Sequence, residues 1–340
     1  MNLRAEALEI PRALRELDEF TESHETCSPF QTGPLVRAYA KSPDTIPIVL
    51  VARDSRGSIM ASLAAVSFTH GGNTLPLASR LTRHCTIRGS PPAMDDHRGE
   101  EVSSQLIVEL PRVLLPETLY IRFYPDRDPP AATIKTLQGY SREDWLNYLI
   151  DLSRSENSLL ESMSKHRRKG IHTAEREGVE VREVSNFREL TQLYTILEES
   201  HRRLKVPIQR KELFQAVFED LRPRNQALLM FAQKGKRLLA GRVVVVVHKT
   251  AYDWYAGSLP GAAEVHANEF LAWSAMMKAK LLGATTFDFG GAGTPREDYG
   301  PREFKRRFGG VETDYGRYTK VLRPRMLRVA RTAADILRRI

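Results

Sequence analysis

A run of glycine, aromatic and basic residues in the last sixth of the chain has the composition of a ligand-binding site. It reads Asp288-Phe-Gly-Gly and, after a short gap, Tyr299-Gly-Pro-Arg-Glu-Phe-Lys-Arg-Arg-Phe-Gly-Gly. Glycines that follow a strand let backbone N–H groups approach an anion or another ligand. Lys305 stands between Phe304 and Phe308, which predicts that it lies at the edge of a pocket. The spacing matches neither a phosphate-binding P-loop nor a dinucleotide fingerprint.

Two further segments contain residue types suited to binding. Residues 165–179 carry many Lys and Arg around Ile171 and Ala174, which predicts a helix whose cations contact phosphate or RNA. A solvated helix face without a ligand would have the same pattern. Tyr255 ends the segment Tyr252-Asp-Trp-Tyr, at the end of a predicted strand, where an aromatic ring either lines a pocket or packs in the core.

Other catalytic chemistries lack support in the sequence. The chain contains no His-Glu-x-x-His, no paired Cys-x-x-Cys and no Gly-x-Ser-x-Gly. A zinc site and a hydrolase nucleophile elbow are therefore not predicted, and we expect neither a metal nor a bound cofactor.

The charge balance favours an anionic partner. The 340 residues include 51 Lys and Arg against 42 Asp and Glu, which gives a net charge of +9. Proteins that bind phosphate-rich metabolites, RNA or membrane surfaces often have such an excess, although a basic surface without a ligand has it too. Two cysteines, Cys27 and Cys85, are too few for a disulfide-stapled secreted scaffold. The acidic start of the chain is unlike a signal peptide and the apolar run 243–247 cannot span a bilayer, so we expect a cytoplasmic protein.

The predicted elements form two similar series of helices and strands. Helices are predicted at 3–20, 31–39, 100–115, 165–177, 187–204, 211–221, 269–282 and 324–340, and strands at 46–53, 58–69, 119–123, 179–184, 227–233, 238–248, 251–256 and 285–289. Ser141 and Ser155 are two further predicted helix starts, and Asn268 is predicted to cap the helix that Gly283 follows. The Pro-rich stretch 125–140 is the predicted boundary between two α/β lobes.

Taken in order, these segments resemble the Fem-type peptidyltransferases, which use aminoacyl-tRNA to build the peptide bridges of cell walls. The resemblance covers residues 28–312. In the first half it rests on Ser28-Pro-Phe-Gln-Thr, Arg88-Gly-Ser-Pro-Pro-Ala-Met-Asp and Tyr120-Ile-Arg-Phe-Tyr-Pro-Asp. In the second half it rests on Lys165 to Val179, Ser200-His-Arg-Arg, Tyr255-Ala-Gly-Ser, Asn268, Trp273, Gly283, Asp288-Phe-Gly-Gly and Phe304-Lys-x-x-Phe-Gly-Gly.

The resemblance implies an α/β fold of two tandem lobes similar to the GCN-related N-acyltransferases (GNAT), with the C-terminal helix returning to the first lobe. The lobes would be residues 1–140 plus 313–340 and residues 141–312. The implied partners are charged tRNA and a nucleotide- or lipid-linked muramyl peptide, whose amine receives the amino acid. Such a protein would work in the cytoplasm, including at the inner face of the membrane.

The same resemblance assigns roles by position in the motifs. Lys305 would lie at the reaction centre, lined by Tyr255 and Asp95. The positions implied to bind the precursor are Arg203, which would contact its diphosphate, and Arg37, Arg88, Asp288 and Tyr299. The positions implied to bind tRNA are Lys165, Arg168 and Lys169.

Some residues depart from the family pattern. Leu35 stands where the family commonly has Trp, Ser90 is an extra residue in the Arg-Gly-Pro loop, and Gly170 interrupts the basic helix. No long coiled-coil arm is inserted near 170–210. These differences leave both the acceptor amine and the acyl donor open.

The implied reaction needs little beyond orientation and charge stabilisation, because an aminoacyl ester is already activated. The attacking amine must be neutral, which requires a base or a proton path. We expect Lys305 to stabilise the developing oxyanion, and Asp95 or a phosphate of the substrate to help remove the proton.

Two alternatives remain at the level of sequence. The first is an N-acyltransferase of the same fold that uses acyl-CoA. Its usual pyrophosphate loop is Arg/Gln-x-x-Gly-x-Gly/Ala, and the nearest match, Arg167-Arg-Lys-Gly-Ile-His, ends in a bulky residue. The second is a non-catalytic protein that binds RNA or a membrane surface through its charge and through the basic amphipathic helix 324–340.

Overall fold

The computed structural model describes residues 4–7, 10–24, 27–69, 82–94 and 97–339. The chain divides into two compact units, residues 1–144 with 315–340 (unit 1) and residues 145–314 (unit 2). The chain thus leaves unit 1, builds the whole of unit 2 and returns to unit 1.

Unit 1 is a sheet with helices. Its strands are β1 (Arg4–Ala7), β2 (Thr45–Arg53), β3 (Ile59–Phe68), β4 (His84–Arg88), β5 (Tyr120–Tyr124), β6 (Ser141–Glu143) and β14 (Arg317–Val321). Its helices are α1 (Ile10–Glu22), α2 (Gly33–Ala40), α3 (His97–Val113), α4 (Ala131–Thr136) and α11 (Pro324–Arg339), with a 3₁₀ turn at Pro29–Gln31.

The sheet of unit 1 has the order β1-β2-β3-β4-β5-β14-β6. Neighbours are antiparallel except β4 and β5, which are parallel and are connected through α3. The helix α3 buries Val102, Leu106 and Leu110, which are spaced four residues apart and therefore share one face. That face packs in a common core with the sheet.

Gln31 joins the 3₁₀ turn to two strands of unit 1. Its side chain is fully buried, and its amide nitrogen donates to the carbonyls of Ala64 (2.9 Å) and Arg88 (2.8 Å). Its amide oxygen accepts from the N–H of Ala64 at 2.8 Å. Three hydrogen bonds, two of them buried and one partly buried, thus depend on one side chain, between the strands β3 and β4.

Unit 2 has a second sheet with helices. Its strands are β7 (Leu146–Asp151), β8 (Val179–Glu183), β9 (Ala227–Lys234), β10 (Arg237–Val247), β11 (Thr250–Ser258), β12 (Thr286–Gly291) and β13 (Val311–Asp314). Its helices are α5 (Glu156–Ser162), α6 (Lys165–Arg176), α7 (Phe187–Arg203), α8 (Lys211–Ala216), α9 (Ala267–Leu281) and α10 (Gly300–Arg306). A π-helical turn at Val217–Leu221 and a 3₁₀ turn at Arg222–Arg224 follow α8.

The sheet of unit 2 has the order β13-β7-β12-β11-β10-β9-β8. Its parallel pair is β11 and β12, which are hydrogen-bonded only where residues 250–252 face residues 286–288. Beyond that point β11 continues to Ser258, whereas Gly291 of β12 pairs with Asn147 of β7. The two parallel strands therefore part at their carboxyl ends.

The helices of unit 2 cover both faces of this sheet. One face shares a core with α6 and α9, including Val244, Ile171 and Met276. On the other face α7 comes so close that a Cβ at Gly241 would lie 2.6 Å from a methyl of Leu193, and one at Gly257 would lie 2.8 Å from Cβ of Ser200. Both positions need glycine because the helix packs directly on the backbone.

Several predicted elements are confirmed and others are wrong. Ser155 caps α5 by accepting from the N–H of Ser158. Ser141, predicted to start a helix, belongs instead to β6, because its neighbours pair with β14. Residues 4–7, predicted as helix, form a strand that pairs with β2. The N-cap of α9 is His266, not Asn268, whose side-chain oxygen accepts from the guanidinium of Arg242 at 3.0 Å.

The two ends of unit 2 lie next to each other. Asp314 pairs with Leu146 through the β13–β7 ladder, and the carboxylate of Asp314 accepts from the N–H of Trp145 at 2.8 Å. In unit 1, Arg317 likewise pairs with Glu143 through the β14–β6 ladder.

Replacing Gln31 with Leu tests its structural role in unit 1. The variant Gln31→Leu leaves the backbone groups of Ala64 and Arg88 buried without their partner, so we expect the free energy of unfolding to fall by about 3 kcal/mol. Urea denaturation followed by circular dichroism measures the change. The matched control is Gln105→Leu on the exposed face of α3, which should change it by less than about 0.5 kcal/mol. Equal effects of the two variants would contradict the prediction.

Candidate active site

The Lys305 ammonium group lies where the parallel strands of unit 2 part. Its Nζ donates to the carbonyl of Gly290 at 3.1 Å and to the carbonyl of Gly291 at 2.8 Å. An ammonium group has three N–H donors, and the third has no protein acceptor among the described residues. Lys305 is therefore anchored by two bonds and keeps one donor for a ligand.

Asp288 shapes the backbone that holds Lys305. Its carboxylate is buried and accepts from the N–H of Gly290 at 2.6 Å and from the side chain of Asn147 at 2.7 Å. Gly290 has φ +68°, a left-handed conformation that favours glycine. The turn at Gly290 thus presents two successive carbonyls to Lys305. Asp288 was predicted to bind the precursor, and the structure places it beneath this turn.

Helix α10 is held against the loop that follows β12 by a second basic side chain. Arg302, three residues before Lys305 and on the same side of the helix, donates to the carbonyls of Ala292 (3.0 Å) and Pro295 (3.3 Å), and also to that of Thr294. Tyr299, at the N-cap of α10, lies against Gly293 and is 40% exposed. Lys305 and Arg302 therefore donate to the backbone carbonyls of residues 290–292, 294 and 295.

A buried charge cluster adjoins Lys305. Arg242, 1% exposed, forms an ion pair with Asp253, and the second carboxylate oxygen of Asp253 is buried and has no hydrogen-bond partner in the part of the chain that the structure describes. Burial raises the pKa of Asp253, against the effect of Arg242 and Lys305. Burial lowers the pKa of Lys305 to about 8, while Asp253 and Asp288 oppose that shift. Lys305 therefore loses its proton near pH 8, well below the range of an ordinary lysine.

A β-bulge places Asp253 and Tyr255 on opposite faces of the sheet. Val244 pairs with Asp253 and Val243 with Tyr255, so that Trp254 is the extra residue. The Tyr255 ring packs on the α7–α8 side, 4.9 Å from the ring of Phe214. Simple alternation along the strand would put residues 253 and 255 on one face. Asp253 is not among the residues predicted from the sequence, and the bulge places Tyr255, which was predicted to line the reaction centre, on the other face.

Arg203 lies at the other end of the part of β11 that is not paired with β12. This residue ends α7, is exposed, and donates to the carbonyl of Ser258 at 2.7 Å. Five residues separate Ser258 from Asp253, which corresponds to roughly 16 Å along the strand. Arg203 and Lys305 thus both belong to unit 2 and mark the two ends of one stretch of β11.

The basic helix α6 has distinct faces. Lys165 and Lys169 are exposed, as a surface that contacts RNA requires. Arg168 donates to the carbonyls of Glu161 (2.9 Å) and Leu160 (3.3 Å) and so stabilises the carboxyl end of α5. The segment 167–172, the nearest match to a pyrophosphate loop, lies inside this helix, where backbone N–H groups are used by the helix itself.

The remaining predicted residues lie in unit 1. Arg88 stacks over the rings of Phe30 (5.4 Å) and Tyr124 (5.2 Å), and Arg37 forms an ion pair with Asp18 at 2.8 Å. Asp95 lies outside the described residues.

Unit 1 also contains a cavity of about 450 Å³. The extra residue Ser90 lines it, with its hydroxyl buried and without a hydrogen-bond partner among the described residues. The other polar residues of its wall include Glu100 and Arg127. None of the described helices is both long and apolar enough to cross a membrane.

Comparison with known proteins agrees with the two α/β units described above. Residues 161–306 match the acetyltransferase (GNAT) domain family. The crystal structure of FemX superimposes with a TM-score of 0.69 at 14% identity, covering 95% of this chain and 99% of FemX. The chain has the Fem-type fold of two GNAT-like lobes.

Two further structures share this double fold. L-PGS from Bacillus licheniformis superimposes with a TM-score of 0.55 at 16% identity, covering 93% of this chain and 96% of that one. A tandem GNAT protein from the clavulanic acid biosynthesis pathway gives 0.53 at 11% identity, covering 94% and 98%. No curated protein matches the sequence. The predicted fold is thereby confirmed, and the GNAT domain match supports the predicted enzyme class, a transferase that forms amide bonds.

The turn at Gly290 can be tested by adding one methyl group. In Gly290→Ala the new Cβ would lie 2.9 Å from the Tyr252 hydroxyl, in a left-handed backbone. Gly283→Ala is the matched control, since Gly283 also has positive φ (+92°) but faces open space. We expect the control to lower the free energy of unfolding by about 1 kcal/mol and Gly290→Ala by at least about 2 kcal/mol, measured by urea denaturation. A control as destabilising as Gly290→Ala would contradict the proposed tight turn.

Proposed function

We propose that the protein transfers an amino acid from aminoacyl-tRNA to an amine of a muramyl-peptide precursor of the cell wall. The observation that carries this proposal is the partly buried Lys305, anchored by Gly290 and Gly291 with one donor left. Such a group suits a reaction in which charge develops on a carbonyl oxygen. The resemblance of the ordered motifs to the Fem-type family supports the choice of donor and acceptor.

The proposed transfer exchanges the ester bond of the aminoacyl-tRNA for an amide bond. The neutral amine of the precursor attacks the ester carbonyl carbon of the aminoacyl-tRNA, and a C–N bond forms. The tetrahedral intermediate carries its negative charge on the former carbonyl oxygen. Its collapse breaks the C–O bond to the ribose, and the proton lost by the amine is transferred to the ribose oxygen. The intermediate is thus the species that an enzyme must stabilise.

Lys305 would donate its remaining N–H to this oxyanion. Because its pKa is about 8, Lys305 carries its charge at neutral pH and can also exchange a proton close to that range. The proton of the attacking amine would leave with help from a phosphate of the precursor. The ring of Tyr255 packs against Phe214 on the face of the sheet opposite Asp253, so no role beside Lys305 is assigned to it.

The partners would bind to basic surfaces. Lys165, Arg168 and Lys169 would contact the tRNA phosphates, and this is supported by the exposure of both lysines. The precursor would be held by Arg203 at its diphosphate, with the exposed Tyr299 as a further position of unit 2 implied by the motifs. We place the protein in the cytoplasm, where it could work at the inner membrane surface on a lipid-linked precursor.

The acyl-CoA alternative has less structural support. The segment that most resembled a pyrophosphate loop is part of α6. The start of α9, which follows the end of β11, carries Glu269 in its first turn and Glu264 just before it. The carboxylate of Glu269 is paired with Arg167, whereas that of the exposed Glu264 would repel a pyrophosphate at this helix N-terminus.

Replacing Lys305 separates catalysis from binding. Lys305→Met should lower kcat by roughly 100- to 1000-fold, the usual cost of one oxyanion donor, and change the affinity for the precursor little. Steady-state kinetics and calorimetric titration with a muramyl-peptide nucleotide measure the two effects. Loss of affinity in proportion to loss of kcat would refute the catalytic role.

The pH dependence of the reaction gives a second test. The charged form of Lys305 disappears as the pH rises through about 8, so wild-type kcat should fall above that pH. Lys305→Arg stays charged throughout and should lack this fall, whatever its absolute rate. An identical alkaline limb in both proteins would assign the ionisation to another group.

Thermal-shift measurements compare the possible ligands directly. We expect a higher melting temperature with a muramyl-peptide nucleotide and with charged tRNA, because ligands of the native state stabilise it, and no change with acetyl-CoA. Stabilisation by acetyl-CoA alone would favour the CoA-dependent alternative. Stabilisation by uncharged RNA or anionic vesicles without transfer activity would favour a binding protein.

A further inference from the structure

Arg167 is the one arginine of the segment 165–168 that turns inward. Its guanidinium is 3% exposed and lies 4.3 Å from the ring centre of Phe304 and 4.5 Å from that of Phe308. It forms an ion pair with Glu269 at 3.0 Å and donates to the backbone carbonyl of Phe304 at 2.9 Å. In the sequence this residue is one cation of the basic segment 165–179, for which contact with phosphate or RNA was predicted.

A buried guanidinium needs a structural reason. Removal from water lowers the pKa of Arg167 to about 10, although Glu269 partly restores it. Burial of an arginine is unfavourable unless its N–H groups and its flat faces find partners. Here Glu269 and the carbonyl of Phe304 accept from the two terminal nitrogens and two aromatic rings cover the guanidinium, while its Nε is buried without a hydrogen-bond partner among the described residues. The helices α6, α9 and α10 thus meet at one side chain.

Lys305 depends on this contact through its neighbours in sequence. Phe304 precedes it and Phe308 follows one turn later, and Arg167 contacts both rings. Helix α10 has only seven residues, too few to be stable without packing. On its other side, α10 is fixed by the bond of Lys305 to Gly291 at the end of β12 and by that of Arg302 to Ala292 in the loop that follows.

We propose that Arg167 is a positioning residue, which clamps Phe304 and Phe308 and thereby holds the Lys305 amine against the carbonyls of Gly290 and Gly291. Its importance for turnover rests on the proposed function. Its effect on Lys305 is a property of the folded protein and can be measured without any substrate.

The environment of Lys305 provides the readout. The charged groups acting on its amine are Asp253 of β11 and Asp288 of β12, which favour the ammonium, and Arg242 of β10, which opposes it. Its own helix adds Arg302, Glu303 and Arg306, and Arg307 follows directly. If α10 loosens, water reaches the amine, and its pKa should rise from about 8 towards the ordinary value near 10.4.

The experiment is competitive labelling of the folded protein with acetic anhydride between pH 6 and 11, with the Lys305 peptide quantified by mass spectrometry. The variant Arg167→Lys keeps the positive charge but loses the planar fork and the stacking face. The matched control Arg168→Lys changes the adjacent arginine, which contacts α5 instead. The pH at which labelling of Lys305 is half-maximal (the labelling midpoint) should stay near pH 8 in the wild type and the control. It should rise by at least about one pH unit in Arg167→Lys.

Two outcomes would overturn the proposal. One is an unchanged midpoint in Arg167→Lys with a native circular dichroism spectrum, and the other is an equal shift in the Arg168→Lys control. If Arg167→Lys does not fold, Phe304→Leu tests the same clamp from its other side, because Phe304 is only partly buried. Phe304→Leu should also raise the labelling midpoint of Lys305, and an unchanged midpoint in this variant would overturn the proposal.

Kinetics add a second readout. A displaced Lys305 should lower kcat roughly 10- to 100-fold with little change in KM, and the alkaline limb of kcat should move upward with the labelling midpoint. A lower content of active protein would reduce the rate without moving that limb. Absence of transfer by the wild type would refute the proposed function, while the labelling result would stand on its own.

Discussion

The bonds from the Lys305 ammonium to the carbonyls of Gly290 and Gly291 are the constraint around which unit 2 is arranged. Two backbone carbonyls at the end of a strand are ordinarily paired within a sheet. Here they are free for Lys305 because β11 and β12 stop pairing after residues 252 and 288. The positive φ of Gly290, together with the hydrogen bond from its N–H to the buried carboxylate of Asp288, orients both carbonyls towards the Lys305 ammonium group. The Lys305 ammonium group therefore supplies hydrogen-bond donors to these two carbonyls and is also the group proposed to act in the reaction.

The site is supported by buried polar groups rather than by apolar packing alone. Arg242 is paired with Asp253 and Asn268, and Arg167 with Glu269 and the Phe304 carbonyl. Interior charges contribute little net stability because their desolvation is costly. What they fix is geometry, since each accepts only a narrow set of partner positions. Such fixed partner positions suit the short helix α10, which must hold the Lys305 amine in place.

Much of this arrangement could be read from the sequence and some of it could not. Helical spacing and Gly283 located α9 to within about two residues, and the order of the motifs gave the double fold and singled out Lys305. The cap of α9 was misassigned because Asn268 bonds to Arg242, a residue 26 positions away. The separation of Tyr255 from Asp253 by the bulge at Trp254 could not be predicted, since alternation gives no sign of an inserted residue. Arg167 was hidden among three other basic residues, because composition does not show which side chain turns inward.

The meeting of the two ends of unit 2 has a consequence for the architecture of the chain. Trp145 and Asp314 are hydrogen-bonded to each other, and in unit 1 the flanking strands β6 and β14 are antiparallel neighbours. Within each unit, the residue at which the chain leaves and the residue at which it enters are therefore neighbours. In topological terms, residues 145–314 are an insertion at the tip of a hairpin of unit 1. A short turn could replace them without cutting any strand of the host sheet, which is the condition under which a whole domain can be gained or lost in a single step.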